Sequence, residues 1–290
     1  MNSYRKTCLK TCLLTIAVLA LCVPAVAQQS ADLVSLDQTG SAAAPQKTTA
    51  AQTSPGSYAI ASSDADLTDK KWHYYGTLYI WFPGIHGTVG IRGFDTSIHV
   101  TAGEIFSDFR GGLLGVFIPT YGRFSLPVDF MWMRLKDDKA IAFNPAYSAQ
   151  ATLNFAIVSP KVSYLLVNQP KVKIYGTAGP RIWHLGSEIE TDPTINGRSL
   201  SEGQTWTDFV LGGRFSLPLS SKASVDVYGD GGEGGATLDY QVGGLVSFQV
   251  KPKISLQGGW RYLTVHYGNN GNILNTSIQG IVLGATYKLK

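Results

Sequence analysis

The chain has 290 residues, a formal net charge of +4 and three cysteines, and 15% of its residues are charged. All three cysteines lie in the first 27 residues, which excludes a disulfide framework, a thiolate metal site and a cysteine nucleophile from the remainder. There is no basic stripe, no nucleic-acid motif and no apolar run long enough for a transmembrane helix. We therefore expect no nucleic-acid partner, no cofactor and no metal.

Residues 1–27 are typical of a cleaved export signal. Its positively charged start consists of Arg5, Lys6 and Lys10. The apolar stretch 13–23 follows, and it is too short to cross a bilayer as a helix, which needs about twenty residues. Small residues at Ala25 and Ala27 predict cleavage after Ala27. The alternative is a lipoprotein signal at Cys22, which Leu21 disfavours because a small residue usually precedes a lipidated cysteine.

Residues 28–71 are rich in alanine, serine, threonine and glutamine and contain few bulky apolar residues. Such a segment cannot bury enough apolar surface to offset the entropy lost on ordering. The composition therefore predicts a disordered tail in the periplasm.

From Trp72 onward, apolar and polar residues alternate in runs of about ten to fifteen, which in a strand places them on opposite faces. The predicted strands are 72–82, 111–120, 123–136, 148–167, 171–186, 204–219, 222–230, 236–250, 253–267 and 273–289. Pro83-Gly84 is expected to end the first strand. A small hairpin within 88–100 and one turn of helix at 103–109 are expected before the second strand.

Short connections alternate with longer, polar or glycine-rich ones along this series. This order, with glycine on both faces and aromatic residues near strand ends, predicts an all-β fold over 72–290: an antiparallel, transmembrane, up-and-down β-barrel of about ten strands. Eight or twelve strands are the alternatives, depending on how 222–230 and 88–100 are counted. With the short turns in the periplasm, the tail and the C-terminus both lie there. A soluble exported β-barrel or sandwich that binds a ligand is the remaining fold alternative.

Three segments resemble a family of uncharacterised bacterial outer-membrane β-barrel proteins. They are LYIWFPGIHGTVGIRG at 78–93, DVYGDGGEGG at 226–235, and Gly259-Trp260-Arg261-Tyr262-Leu263 with Tyr267 after it. The second resembles Gly-Asp-x-Gly-Gly-Phe-Gly, although Glu233 and Gly234 replace the Gly-Phe pair. The terminal GIVLGATYKLK is similar to the strand that the barrel-assembly machinery recognises. The resemblance implies an outer-membrane location and a barrel fold, but it does not imply an activity.

Charged residues on the polar face are expected to point into the lumen, where they pair with one another or select solutes. They are Asp129, Arg181, Asp208, Arg214, Asp226, Asp239 and Arg261. Aromatic residues are expected to form girdles at the two membrane interfaces. Those assigned to the girdles are Trp72, Trp81, Trp132, Trp260 and Tyr262.

These features predict an integral outer-membrane protein that is structural or a narrow passive pore for small solutes, and not an enzyme. Its expected partners are outer-membrane lipid, lipopolysaccharide and, during insertion, the barrel-assembly machinery. The alternative is a barrel enzyme acting on lipid or peptide at the outer rim. Its residues would be His184, His266, Asp230, Glu233 and Ser187, a histidine–acid–serine combination. The glycine-rich stretch from Asp230 to Gly235 is expected to form a tight loop with positive φ angles.

Overall fold

A computed structural model describes residues 71–91, 94–140, 148–192 and 200–289. The predicted export signal, 1–27, and the predicted tail, apart from its last residue, lie outside the described residues. Both therefore stay predictions.

Within these ranges the chain forms strands and one short helix. The strands are β1 Trp72–Ile91, β2 Phe94–Val100, β3 Phe109–Tyr121, β4 Phe124–Ser125, β5 Val128–Ala140, β6 Ser148–Pro160, β7 Val162–Gln169, β8 Val172–Asp192, β9 Leu200–Ser220, β10 Ala223–Gly234, β11 Leu238–Lys251, β12 Ile254–Asn269 and β13 Asn272–Lys288; the helix is α1 Ala102–Asp108. No helix in the described part of the chain is long and apolar enough to cross a membrane.

The strands close into a barrel in which each one is antiparallel to its neighbours. Their order around the wall is β1, β13, β12, β11, β10, β9, β8, β6, β5 and β3, and β3 pairs with β1 to complete the ring. The short strands β4 and β7 continue β5 and β6, so each pair counts as one of the ten wall strands. The predicted all-β antiparallel barrel of about ten strands is confirmed.

Two wall strands are interrupted at prolines, which lack the N–H that a continuous ladder requires. The break between β4 and β5 lies at Leu126-Pro127, and the break between β6 and β7 follows Pro160. The two breaks are joined by a backbone hydrogen bond of 2.9 Å from Lys161 N–H to the Pro127 carbonyl. The alternation of apolar and polar residues in the sequence also predicts a slip in side-chain parity at Ser159-Pro160. This prediction is wrong, because β6 and β7 pair with β8 in the same register on both sides of the break, and the register shifts between Leu165 and Val167.

The first strand is longer than predicted, because β1 continues through Pro83 to Ile91. Between Tyr79 and Gly84 it pairs with β13 only, and a residue without an N–H is tolerated where one neighbour is missing. Several other strands also extend beyond their predicted ends, as β8 does to Asp192. Both faces of these extensions carry polar residues, a pattern that is typical of a loop. The backbone there nevertheless remains paired.

The helix α1 packs beside the gap left where β1 and β3 separate. From Tyr79 onward β1 no longer pairs with β3, and residues 109–114 of β3 pair with β5 alone. The ring of Phe106 on α1 lies 4.9 Å from that of Phe82 and 6.4 Å from that of Phe109, between centroids. Thr101 and Glu104 form a capping box that fixes the start of the helix. The helix therefore lies beside the unpaired edges of β1 and β3, which would otherwise face the lipid.

The wall has an apolar outer face and a polar or tightly packed inner face. On β1, Leu78 and Ile80 are exposed while Thr77 and Tyr79 are buried. The same alternation places Phe248 outside, with 55% of its surface exposed. One end of the barrel, the turn end, carries short connections at 122–123, 170–171, 221–222 and 252–253; the opposite end is the loop end.

Glycines of the GDGGEGG segment allow β9 and β10 to approach closely. The expected loop with positive φ angles is wrong, because β10 continues to Gly234 and its glycines have no positive φ. A Cβ built on Gly232 would lie 1.8 Å from the carbonyl oxygen of Phe209, and one on Gly212 would lie 2.1 Å from that of Gly229. Only glycine fits at these positions, since the obstructing atoms are backbone.

We expect Gly232→Ala to lower the free energy of unfolding by about 2–3 kcal/mol, because the added methyl group forces β9 and β10 apart. The matched control is Gly268→Ala, since a Cβ at Gly268 meets no heavy atom within 4 Å. Urea denaturation of the detergent-folded barrel, followed by heat-modified gel mobility, measures both. Equal midpoints for the two variants would contradict the close approach.

Candidate functional site in the barrel lumen

The centre of the lumen is occupied by the guanidinium group of Arg181, which is fully buried. Its Nη2 donates to Asp230 Oδ1 at 2.5 Å, and its Nη1 donates to Asp239 Oδ1. Its Nε donates to Ser159 Oγ at 3.3 Å. One cation from β8 therefore joins β6, β10 and β11 across the interior. A buried guanidinium requires partners of this kind, because an unpaired charge would be strongly destabilising.

The two carboxylates that accept from Arg181 have further donors. Asp230 Oδ2 accepts from Lys161 Nζ at 2.6 Å and from Gln241 Nε2 at 2.7 Å. Asp239 Oδ2 accepts from Trp183 Nε1 at 2.7 Å. All four carboxylate oxygens are thus hydrogen bonded, as the burial of two anions demands.

A second cation, Arg261, extends these contacts to the opposite side of the barrel. It donates to Gln241 Oε1 at 2.8 Å and to Tyr79 Oη at 3.0 Å, and it pairs with Asp129 Oδ2 at 2.9 Å. The Tyr79 hydroxyl donates in turn to Asp129 Oδ1 at 2.8 Å. Because Gln241 contacts both Asp230 and Arg261, the two halves form one connected set.

We call this set the central network: Tyr79, Asp129, Ser159, Lys161, Arg181, Trp183, Asp230, Asp239, Gln241 and Arg261. Its three cations balance its three carboxylates in formal charge. Its members come from β1, β5, β6, β8, β10, β11 and β12 and from the link before β7. A neutral network that joins most of the wall strands both satisfies the buried charges and braces the barrel from within.

Two predicted lumenal carboxylates lie outside the central network. Asp208 accepts from the Ala236 backbone N–H at 2.7 Å and from Trp206 Nε1 at 3.1 Å. Asp226 is buried nearer the turn end, and Arg214 is the cation that attracts it most strongly. The guanidinium of Arg214 also lies 4.0 Å above the ring of Tyr175. Asp208 is therefore stabilised by two hydrogen-bond donors, and Arg214 by an aromatic face.

An aromatic layer fills the lumen on the loop side of the central network. It consists of Phe155, Trp183, Trp206 and Tyr267, all buried. The Trp183 and Trp206 rings stack at 5.5 Å, and the Trp206 and Tyr267 rings stack at 4.0 Å. The layer and the network touch through Trp183, so the two lie in series along the barrel axis.

On the turn side of the central network the lumen contains a chamber of about 90 Å³. Its polar lining includes Thr120, Arg123, Ser125, Ser163, Thr177 and Arg214. Lys161, Asp230 and Arg261 of the network also border it. A cavity of this volume and polarity has room for several water molecules. The lumen is therefore hydrophilic on the turn side of the central network and contains packed aromatic side chains on the loop side.

The structure places all seven predicted lumenal charges on the inner face of the wall. Sequence reasoning missed Lys161 and assigned Asp230 to the outer rim, although both belong to the central network. Asp230 has the same strand parity as Asp226, and Lys161 has the same parity as the buried Ser159 and Ser163, so both signals were present in the sequence.

Four of the five predicted girdle residues face outward, and Trp81 does not. Trp72, Trp132 and Trp260 are 44%, 46% and 42% exposed, and Tyr262 is half-buried at the outer surface. Trp81 is 2% exposed, and its ring lies 5.3 Å from the guanidinium carbon of Arg261 in the lumen. Its assignment to the girdle is wrong, because it has the opposite parity to the lipid-facing Ile80.

Two of the residues proposed for a rim active site, His184 and Asp230, lie on opposite faces of the wall. His184 is exposed on the outer face, where its Nδ1 lies 2.8 Å from Thr205 Oγ1, whereas Asp230 lies in the lumen. The wall thus separates His184 from Asp230, whereas Glu233, the other candidate acid, is exposed. His86 and His99 form a cross-strand pair with their Nδ1 atoms 2.8 Å apart. No group of three or more metal-ligating side chains occurs in the described residues.

No protein-family model matches the sequence, and no curated protein matches it. Solved structures show a likeness at low identity. The outer membrane protease OmpT from Escherichia coli is 10% identical, with 77% of this chain and 100% of that chain covered and a TM-score of 0.48. Neisserial surface protein A is 15% identical, with 74% and 97% covered and a TM-score of 0.32.

The attachment invasion locus protein Ail of Yersinia pestis, solved with the heparin analogue sucrose octasulfate, is 12% identical. The match covers 76% of this chain and 100% of that chain, with a TM-score of 0.37. At these identities and TM-scores, the likeness shows no activity, ligand or partner for this chain. The closed antiparallel wall, apolar outside and polar within, by itself gives this chain the fold of an outer-membrane β-barrel.

We expect Arg261→Ala to destabilise the barrel more than Tyr262→Ala. Removing Arg261 leaves the Asp129 carboxylate without its cation, which costs about 3–5 kcal/mol for a buried pair. Tyr262 lies on the outer face, where its hydroxyl contacts Ser277 Oγ at 2.9 Å, a bond worth about 1 kcal/mol. The midpoint of heat-modified gel mobility compares the two variants. Equal midpoints would count against a bracing role for Arg261.

Proposed function

We propose that this protein is a structural component of the outer membrane, a barrel whose lumen is closed by the central network and the aromatic layer. The observation that carries the proposal is the neutral network of three cations and three carboxylates that crosses the lumen from wall to wall. A conducting pore keeps its charged side chains apart around an open path. Here the charges contact one another instead.

The outer face supports insertion into a bilayer. Large apolar side chains are exposed along the wall strands, among them Leu78, Leu211, Phe215, Ile281 and Leu283. In water this surface would drive aggregation, whereas in lipid it is favourable. The closed ring also pairs the backbone between neighbouring strands, as a spanning sheet requires.

We assign the turn end to the periplasm and the loop end to the cell exterior, because outer-membrane barrels have short periplasmic turns and longer outer loops. The predicted export signal and tail then precede a strand that starts at the periplasmic end. The last strand, β13, also ends there, where Leu289 N–H donates to the Tyr74 carbonyl at 2.8 Å. This supports recognition of the C-terminal strand by the barrel-assembly machinery, with lipopolysaccharide around the loop end.

A second candidate function is a narrow pore for small solutes, which the polar chamber on the turn side favours. A solute entering there would meet Lys161, Asp230 and Arg261 at the inner end of the chamber. Passage would require rearrangement of both the central network and the aromatic layer. The closed barrel is therefore the better supported of the two.

We expect the full chain to give no discrete conductance steps in a planar bilayer, because the two closures block the lumen in series. The triple variant Arg181→Ala/Trp183→Ala/Asp239→Ala should give steps. It removes a cation with its carboxylate, so Asp230 keeps its contacts with Lys161 and Gln241.

Heat-modified mobility of the recovered vesicles must show that both proteins folded and inserted. Steps from the unmodified chain equal to those of the triple variant would contradict a closed lumen. Turnover of lipid by a silent, inserted barrel would favour the enzyme alternative.

A further inference from the structure

The described ends of the barrel differ sharply in charge. The turn end carries a set of cations that we call the cation ring: Lys71, Arg123, Lys171, Lys222, Lys251, Lys253 and Lys288. Six of them are exposed, and Lys288 is half-buried. Among the described residues of that end, the one carboxylate is Asp226, which is buried in the lumen.

The loop end has no such bias in the side chains that the structure describes. Its basic residues Arg110, Arg134 and Lys136 are accompanied by Glu104, Asp108, Glu188 and Glu233. The asymmetry therefore does not follow from the composition of the chain as a whole. It is specific to one end.

The cation ring follows the whole circumference. Each of the four short connections contributes at least one cation: Arg123, Lys171, Lys222, and Lys251 with Lys253. Lys71 and Lys288 complete the ring at β1 and β13, which are neighbours in the wall. A ligand that uses all of these cations has to surround the barrel.

Exposed apolar side chains lie directly beside these cations. Trp72 follows Lys71, Phe124 follows Arg123, and Tyr287 precedes Lys288; all three are exposed. Aromatic residues at the end of an apolar band mark the level of the lipid headgroups. The cations therefore lie where phosphate groups of a bilayer leaflet lie.

We propose that the cation ring binds anionic phospholipid headgroups of the leaflet at the turn end. A lysine or arginine near an anionic membrane surface contributes roughly 1 kcal/mol, so several acting together produce a strong preference over zwitterionic lipid. The ring geometry favours lipid over a rigid anionic polymer such as peptidoglycan, because a polymer reaches one side of the barrel at a time. This inference rests on the proposed membrane insertion.

The test is native mass spectrometry of the folded full-length chain in detergent, titrated with phosphatidylglycerol or phosphatidylcholine. The turn-end variant is Lys171→Gln/Lys222→Gln/Lys253→Gln. The matched control is Arg110→Gln/Arg134→Gln/Lys136→Gln, which removes the same charge from the loop end. We expect the unmodified chain and the control to retain phosphatidylglycerol at least about tenfold over phosphatidylcholine, a preference that salt weakens.

The turn-end variant should lose most of that preference. The proposal is overturned if it keeps the preference, or if the loop-end control loses as much. It is also overturned if purified peptidoglycan sediments the unmodified chain but not the turn-end variant while lipid retention is unchanged.

The acidic residues Asp64, Asp66 and Asp69 of the preceding segment are another possible ligand of the cation ring. If the preference for phosphatidylglycerol appears only after these three residues are changed to asparagine, the cation ring binds that segment in the unmodified chain, and the lipid proposal is overturned.

The two proposals fail in different ways. A chain that shows no heat-modified mobility and does not enter vesicles of either lipid refutes membrane insertion. A chain that inserts equally into both and retains neither lipid selectively refutes the cation ring alone.

Discussion

The ion pairs of Arg181 with Asp230 and Asp239 are the contacts on which the interior of this barrel depends. An inward-facing charge in a barrel of about ten strands is largely removed from bulk water, so it is stabilised by a partner from another strand. Because Arg181 has five donors in a planar fork, it can serve several strands at once. Lys161 and Gln241 then satisfy the remaining carboxylate oxygen, and the contacts spread until seven strands share one network. This pairing supports the proposed closure of the lumen.

The apolar surroundings impose a second constraint, on the backbone. Where β1 and β3 separate, α1 occupies the gap, and Phe106 packs against rings on both sides of it. Where prolines interrupt the wall, the Lys161 N–H donates across to Pro127, so the breaks face each other. At these two places in the described wall, another part of the chain covers the irregular backbone or pairs with it.

Most of the architecture could be predicted from the sequence, because the alternation of side chains reports the two faces of each strand directly. The strand number, the short turns, the helix near 103–109 and the break after Pro160 all follow from local signals. The strand extensions at the loop end could not be predicted, since their polar residues resemble a loop and their pairing is non-local. Trp81 illustrates another limit: residue type suggested a girdle, whereas its parity pointed inward. The partners of Asp230 also could not be deduced, because they lie 11 to 69 residues away.

The first and last strands of the barrel lie side by side, and this governs the order in which the protein can assemble. The Thr77 and Thr286 hydroxyls lie 2.7 Å apart although 209 residues separate them. Arg261 likewise reaches Tyr79 across 182 positions. Contacts of such long range form slowly, because the chain must first lose the entropy of a large loop. The wall seam and the contacts of Arg261 therefore form only when the C-terminal strands β12 and β13 meet β1, so the barrel cannot close from its N-terminal strands alone.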